Sequence, residues 1–172
     1  MDVQQFRNLM AGVCAPVTVV TTADEEGPHG ATVSSFASLS LEPALVSIAL
    51  DTRSRLLERI TARGQFGVNV LGSAQAEIAT TFAGRSADRF TDIPWTSTDT
   101  LPRLDGVAGW ATCELVNAVE AGDHLLLIGH VTRAISTLQA PLVYAYRTFG
   151  THSGFELRPR KPVVDQILAC AR

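Results

Sequence analysis

Apolar residues recur along the chain at two different spacings. At the N terminus Val3, Phe6, Leu9 with Met10, and Val13 fall at helical intervals, so residues 2–12 predict a short amphipathic helix ending at Gly12. Val17 to Ala23 is β-branched almost throughout and predicts a strand, and D-E-E-G-P supplies the turn that follows it. Gly30 to Pro43, G-A-T-V-S-S-F-A-S-L-S-L-E-P, reads as mostly extended and completes a hairpin with that strand. Ala44 to Leu50 is nearly continuously apolar, the pattern of a strand covered on both faces. Between Asp51 and Gly64 the period changes: Leu56, Leu57 and Ile60 share a helical face, the charged residues lie elsewhere, and Gly64 stands where a C-terminal cap belongs. Phe66 to Leu71 returns to strand, and Ala74 to Phe82 to helix. Ala83 to Thr100, with its Gly, Asp, Pro and Ser, predicts an irregular surface excursion. Trp110 to Glu120, His124 to Ile135 and Leu142 to Tyr146 are further strands, the first two long and joined at A-G-D. Long hairpin-linked strands with only short helices between them predict a mainly β protein closed into a barrel. Residues 159–172 form a tail in which Val163, Val164, Ile167, Leu168 and Ala171 make one apolar face suited to packing on a partner subunit.

The chain has 172 residues, which fits one domain over residues 1–158 followed by the tail. A formal charge of −3 without a basic run argues against nucleic acid as the main partner. Cys14, Cys113 and Cys170 are odd in number and far apart, which argues against a disulfide framework or zinc knuckle and fits a reducing cytoplasm. M-D-V-Q-Q-F-R has neither the basic region nor the apolar run of a secretion signal, and no stretch reaches the roughly 20 apolar residues of a membrane span.

Candidate chemistry concentrates in two places. Thr32, Ser34, Ser35, Ser38 and Ser40 place five hydroxyls among Val33, Phe36 and Leu39, so one segment offers a dry face and a hydrogen-bonding face. Uncharged donors and strand-edge amides suit a flat heteroaromatic ligand, and an ordinary Ser/Thr-rich barrel strand has the same composition. At D-T-R-S-R, Asp51 to Arg55, a strand ends and a helix begins, so unpaired amides and the positive end of the helix dipole meet Ser54, Arg53 and Arg55. A phosphate fits there, and so do a simple cap and two solvated arginines. No GxGxxG follows a strand, and GxxxxGK[ST], HExxH and GxSxG do not occur, which gives a Rossmann site or a hydrolase little support.

Six segments in order carry a resemblance over Phe6 to Gly150. They are T-V-S-S-F-A-S-L-S-L-E-P; A-L-V-S-I-A-L-D with S-R-L-L-E-R-I; G-Q-F-G-V-N-V-L; F-A-G-R-S-A-D-R-F; A-G-D-H-L-L-L-I-G-H-V; and P-L-V-Y. Together they resemble the short-chain flavin reductases of two-component flavin-dependent monooxygenases, the flavin reductase-like group of FMN-binding split barrels. The resemblance implies a six-stranded Greek-key split barrel, usually a homodimer, with FMN or FAD in a groove near the subunit interface and NADH or NADPH as hydride donor. It implies that Thr32, Val33, Ser34 and Ser35 lie along the isoalloxazine and ribityl chain, and that Ser54, with Asp51, Arg53 and Arg55, lies at the flavin phosphate. Phe82, Ala83 and Gly84, followed by Asp88, Arg89 and Phe90, fall where the family closes over the flavin. Asn69 matches a recurrent family Asn and fits a structural role equally well. His124 matches a position beside flavin and nicotinamide, and His152 follows a region that approaches the nicotinamide. His130 reads as structural, and nothing in the sequence assigns His29. The family often has P-L-x-Y-x-x-G-x-Y-G where this chain reads P-L-V-Y-A-Y-R-T-F-G, so Arg147 replaces a glycine and Phe149 a tyrosine. The implied activity is NAD(P)H:flavin reduction that supplies free reduced flavin to a separate monooxygenase. A non-catalytic flavin-binding module, or another oxidase on the same barrel, is the alternative.

Overall fold

A computed structural model describes residues 1–84 and 89–152; the predicted tail and Asp88 lie outside them. Among the described residues three helices form: α1 (Val3–Ala11), α2 (Arg55–Arg63) and α3 (Ala76–Ala83). The strands are β1 (Ala15–Pro16), β2 (Thr18–Asp24), β3 (Gly27–Val33), β4 (Ala37–Leu41), β5 (Ala44–Asp51) and β6 (Gln65–Val70). They continue with β7 (Trp95–Thr98), β8 (Leu101–Leu104), β9 (Gly109–Ala121), β10 (His124–Ser136), β11 (Val143–Ala145) and β12 (Thr148–Gly150).

The main sheet has the order β3-β2-β6-β9-β10-β5-β4, and every pairing in it is antiparallel. Its two edge strands, β3 and β4, are consecutive in the chain, and β3 also contacts β5. The sheet therefore curls until its edges meet without a ladder between them, which is a split barrel. One interior core draws Val20, Val33, Ile48, Val68, Cys113 and Leu127 from β2, β3, β5, β6, β9 and β10. Leu56, Leu57 and Ile60, the predicted apolar stripe of α2, plug it from one end. A second core lies outside the barrel wall, where α3 and the β7–β8 hairpin bury Val19, Phe82, Leu101, Leu104 and Trp110. β2 is thus covered on both faces, with Val19 and Val20 both fully buried, which is why its β-branched run has no polar alternation.

Three expectations change. The segment from Gly30 to Pro43 is not one strand: pairing with β2 ends at Val33 and pairing with β5 begins at Ala37. Ser35 fills the gap with its side chain, its hydroxyl accepting from Ala49 N–H at 2.8 Å and donating to Ala49 C=O at 3.1 Å. A side chain here replaces the ladder rung that the backbone no longer supplies. Second, the stretch expected to be irregular contains the β7–β8 hairpin, whose turn residues Asp99 and Thr100 have φ of 51° and 66°. Third, Leu142 to Tyr146 is shorter than expected as a strand and leads into a second tight hairpin, β11–β12, through Tyr146 and Arg147.

Candidate functional site

A groove of about 800 Å³ runs between β3, the start of α2, the end of α3 and Arg89–Phe90. Its floor is the segment from Pro28 to Thr32, and Gly30 is required there by close approach. A Cβ on Gly30 would stand 2.9 Å from the Phe82 ring, so only glycine lets that ring pack against the strand. Phe82 meets Phe90 edge to face at 4.9 Å, and the two rings form an apolar wall. The Thr32 hydroxyl donates to Ala79 C=O at 2.7 Å and ties the floor to α3.

The opposite end of the groove is the N terminus of α2. Asp51 there is clamped by Arg53: the Arg53 backbone N–H donates to Oδ1 at 2.8 Å, Nε to Oδ1 at 3.0 Å and Nη2 to Oδ2 at 2.8 Å. The Arg53 hydrogen bonds hold the Asp51 carboxyl well below the usual carboxylate range, and the same pairing raises the Arg53 guanidinium. Ser54 is the N-cap of α2, yet its side chain makes no capping hydrogen bond. Ser54 lines the groove beside the unpaired amides of the first helical turn. Among the described residues Arg55 has no ion-pair partner, so its charge is available to a ligand.

His124 reaches this corner through strand register. It sits opposite Asp51 in the β10–β5 ladder, and Thr52 N–H donates to Asp123 C=O at 3.0 Å. Its Nδ1 lies 2.7 Å from Asp123 Oδ1, a contact that lowers the Asp123 carboxyl. An imidazole oriented by a carboxylate thus stands next to the phosphate-type corner, although it does not line the groove itself.

Seven of the expected binding residues line one groove: Thr32, Arg53, Ser54, Arg55, Phe82, Ala83 and Arg89. Arg89 Nη1 donates to Gly30 C=O at 2.6 Å and its Nη2 to Gly84 C=O, which brings Gly84 to the rim. Burial lowers the Arg89 pKa, and its Nε is buried with no hydrogen-bond partner. Other expected residues lie elsewhere. Val33 points into the barrel core, because strand alternation turns it away from the face that carries Thr32. Ser34 and Ser35 are exposed, and the Ser35 hydroxyl is committed to Ala49. Asn69 is fully buried: its amide donates to Val19 C=O at 3.0 Å and accepts from Leu104 N–H at 2.8 Å, pinning β8 to the sheet. His152 lies beyond β12, exposed and away from the groove lining. Phe90, expected beside Arg89, also lines the groove, and His29 and Arg59 line it without having been assigned by their sequence context. His29 Nε2 is 2.8 Å from Asp24 Oδ1, and that hydrogen bond, with a further one from Arg59, holds the Asp24 carboxyl low. These residues come together only because the β2–β3 hairpin folds against α2.

The profile of the flavin reductase like domain matches residues 10–153, most of the chain. The chain belongs to the flavin reductase-like family. It is 39% identical over 133 residues to a probable flavin reductase of Rhizobium meliloti, covering 76% of this chain and 43% of that one. It is 32% identical over 167 residues to the reductase component of a flavin-dependent trigonelline monooxygenase of Acinetobacter baylyi, covering 96% and 52%. The chain therefore spans about half the length of these two relatives. A solved NADH:FAD oxidoreductase of Streptomyces globisporus, in complex with NAD and FAD fragments, superposes with a TM-score of 0.83 at 29% identity, covering 94% of each chain. The members of this family named here are flavin reductases or reductase components, in agreement with the resemblance carried by the six segments. No helix among the described residues is long and apolar enough to cross a membrane.

Proposed function

We propose that this chain is an NAD(P)H:flavin reductase that passes free reduced flavin to a separate monooxygenase component. The observation that carries the proposal is the single groove joining Ser54, Arg53 and Arg55 at a helix N terminus to Thr32, Phe82 and Arg89. Its donor set fits a flavin: cations and unpaired amides at one end for a phosphate, and an apolar wall of Phe82 and Phe90 for the ring. When bound, the flavin supplies the redox chemistry, accepting hydride from the nicotinamide. Ser54 and the α2 amides hold the phosphate, Arg53 and Arg55 balance its charge, and Arg89 fixes the Gly30–Gly84 rim so that the groove keeps its width. His124, oriented by Asp123, borders the position that the nicotinamide ring must reach. No side chain acts as an obligatory base, so the protein's contribution is alignment of two bound rings. The molecule works as a homodimer in the cytoplasm, where both nucleotides are available.

Mixing the protein with flavin and NADH and following absorbance at about 340 nm tests this proposal, since the reduced nicotinamide carries the reacting hydride. Sustained flavin-dependent loss of NADH is expected. Flavin binding without turnover would leave a binding module in its place.

A further inference from the structure

The strand β3 that floors the groove is held differently on its two sides. Toward α3 it is tied directly, by the Thr32 hydroxyl donating to Ala79 C=O at 2.7 Å; Arg89 Nη1 donates to Gly30 C=O at 2.6 Å from the same side. Toward α2, among the described residues, no hydrogen bond runs from β3 itself to the helix, and the tie passes through the tip of the β2–β3 hairpin. There Asp24, the last residue of β2, pairs with the Arg59 guanidinium through Oδ2, and Glu26 in the turn pairs with it at 2.6 Å. Glu26 N–H donates to Asp24 Oδ1 at 3.0 Å, and His29 of β3 closes the set with its Nε2 at 2.8 Å from the same oxygen. One turn further along α2, Arg63 donates to Ala23 C=O at 2.6 Å and fixes the end of β2.

Both terminal nitrogens of Arg59 are thus committed to carboxylates, and its side chain is only 25% exposed. A guanidinium engaged in this way has no free fork for a ligand, so its contribution to the groove is geometric. A single exposed ion pair holds little, whereas a partly buried guanidinium shared by two carboxylates fixes a geometry. The geometry in question is the span of the groove. A flavin has to reach from the Phe82 and Phe90 wall beside β3 to Ser54 and Arg55 at the start of α2, and those two ends belong to separate elements. The separation between them is only as well defined as the joint that holds hairpin to helix. Asp24 belongs to that joint and does not line the groove.

We propose that Arg59, gripped by Asp24 and Glu26, is a positioning residue that sets the distance between the ring floor on β3 and the phosphate corner on α2, so that one flavin engages both ends at once. The proposal rests on the flavin-reductase reading of the groove. FMN and riboflavin read the joint, because they share ring and ribityl chain and differ only in the phosphate. Charge and geometry predict opposite signs for Asp24→Asn. It removes a negative charge from this side of the groove, which by electrostatics alone would tighten FMN, whereas a broken joint weakens it. Dissociation constants for both ligands are measured by flavin fluorescence on the wild type, Asp24→Asn, Arg59→Gln, the double variant and Arg59→Lys. The wild type is expected to bind FMN about tenfold or more tightly than riboflavin, the size of one charge-assisted contact. Asp24→Asn and Arg59→Gln are each expected to cut that ratio by about threefold or more, with riboflavin affinity unchanged, which also shows that the variants are folded. The double variant should fall no further than the single ones, since all three break the same joint. Arg59→Lys keeps the charge without the planar fork and should lie between wild type and Arg59→Gln. An FMN affinity that Asp24→Asn raises or leaves unchanged would overturn the proposal, and so would a riboflavin affinity that falls in step with that of FMN. A wild type that binds FMN no better than riboflavin would be a different result, refuting the phosphate reading of the groove on which the proposal rests.

Discussion

Ser54 and Asn69 show how far a residue's role can be read from its type. Both are polar residues at family-matched positions, and only the three-dimensional setting separates them. Asn69 is sealed between β2 and β8 with its donor and acceptor satisfied by backbone, so it serves the fold. Ser54 sits at a helix start where a serine ordinarily caps, yet its hydroxyl makes no such bond. Ser54→Ala is therefore expected to leave the unfolding free energy within about 0.5 kcal/mol of wild type, as for a surface change that removes no contact. It is expected to raise the flavin Kd by the equivalent of about 0.5–1.5 kcal/mol, the net value of one hydrogen bond. A loss of stability with unchanged flavin affinity would return Ser54 to an ordinary cap. For His124, alanine substitution should lower turnover and raise the NAD(P)H KM while flavin affinity changes little. The comparison with wild type is made as kcat/KM for NAD(P)H between about pH 6 and 8. The Asp51 and Asp123 carboxyls are held low, so their stabilising contacts persist above the ordinary carboxylate range and are lost only as pH falls below it. An Ala variant with wild-type kcat/KM across that range would exclude any role for His124 beside the nicotinamide.

At the scale of elements, periodicity located what the core dictates and missed what tertiary partners impose. α2 was legible because its apolar stripe and Gly64 agree with the burial and the φ of 74° that the fold demands. The β7–β8 hairpin was not, because Trp95 to Thr98 lacks alternation and its turn is built from Asp99 and Thr100 rather than from glycine or asparagine. That turn is held from outside: Thr112 donates to Asp99 at 3.0 Å, Arg133 does so at 3.2 Å, and Arg63 binds Thr100. The β11–β12 turn is similar in conformation and differs in support. Arg147 occupies it at φ 62°, at the position where the family often has glycine, and its side chain is exposed. The left-handed region disfavours a Cβ, which explains the family's glycine in conformational terms. Arg147→Gly should therefore stabilise the protein by about 0.5–1 kcal/mol, relief of the left-handed cost less the added freedom of the unfolded chain. A urea midpoint that rises at constant slope is the expected outcome, and an unchanged or lower midpoint would mean that Arg147 makes a compensating contact.

At the scale of the whole molecule, the described residues present several large apolar side chains to the surface. The predicted helical spacing of α1 is confirmed, and among the described residues Val3, Phe6, Leu9 and Met10 on the face it creates are all exposed. The same holds at the far end of the β9–β10 hairpin. Past Glu114, β9 loses β6 as a neighbour, and Val116, at a register shift against β10, and Val119 are 55% and 44% exposed. Leu39 and Leu41 on the edge strand β4 add to this surface. Large apolar side chains exposed together on one hairpin arm are the pattern of an interface rather than of a solvated sheet. A two-fold dimer is the simplest assembly that covers them, because it uses one self-complementary patch. The location would give such a dimer a functional consequence. Val119 pairs with Leu126 and Ala121 with His124, so a partner seated on this arm would stand beside the imidazole. Val119→Asp puts a charge in the middle of the patch without touching the groove. Sedimentation at micromolar concentration should give twice the chain mass for wild type and a shift toward the single-chain mass for Val119→Asp. NADH turnover should fall in the variant, while the protein keeps its unfolding midpoint because Val119 is not part of either core. A wild type that sediments as a monomer at that concentration would contradict the dimer. A variant that becomes monomeric with full turnover would separate assembly from the activity at His124.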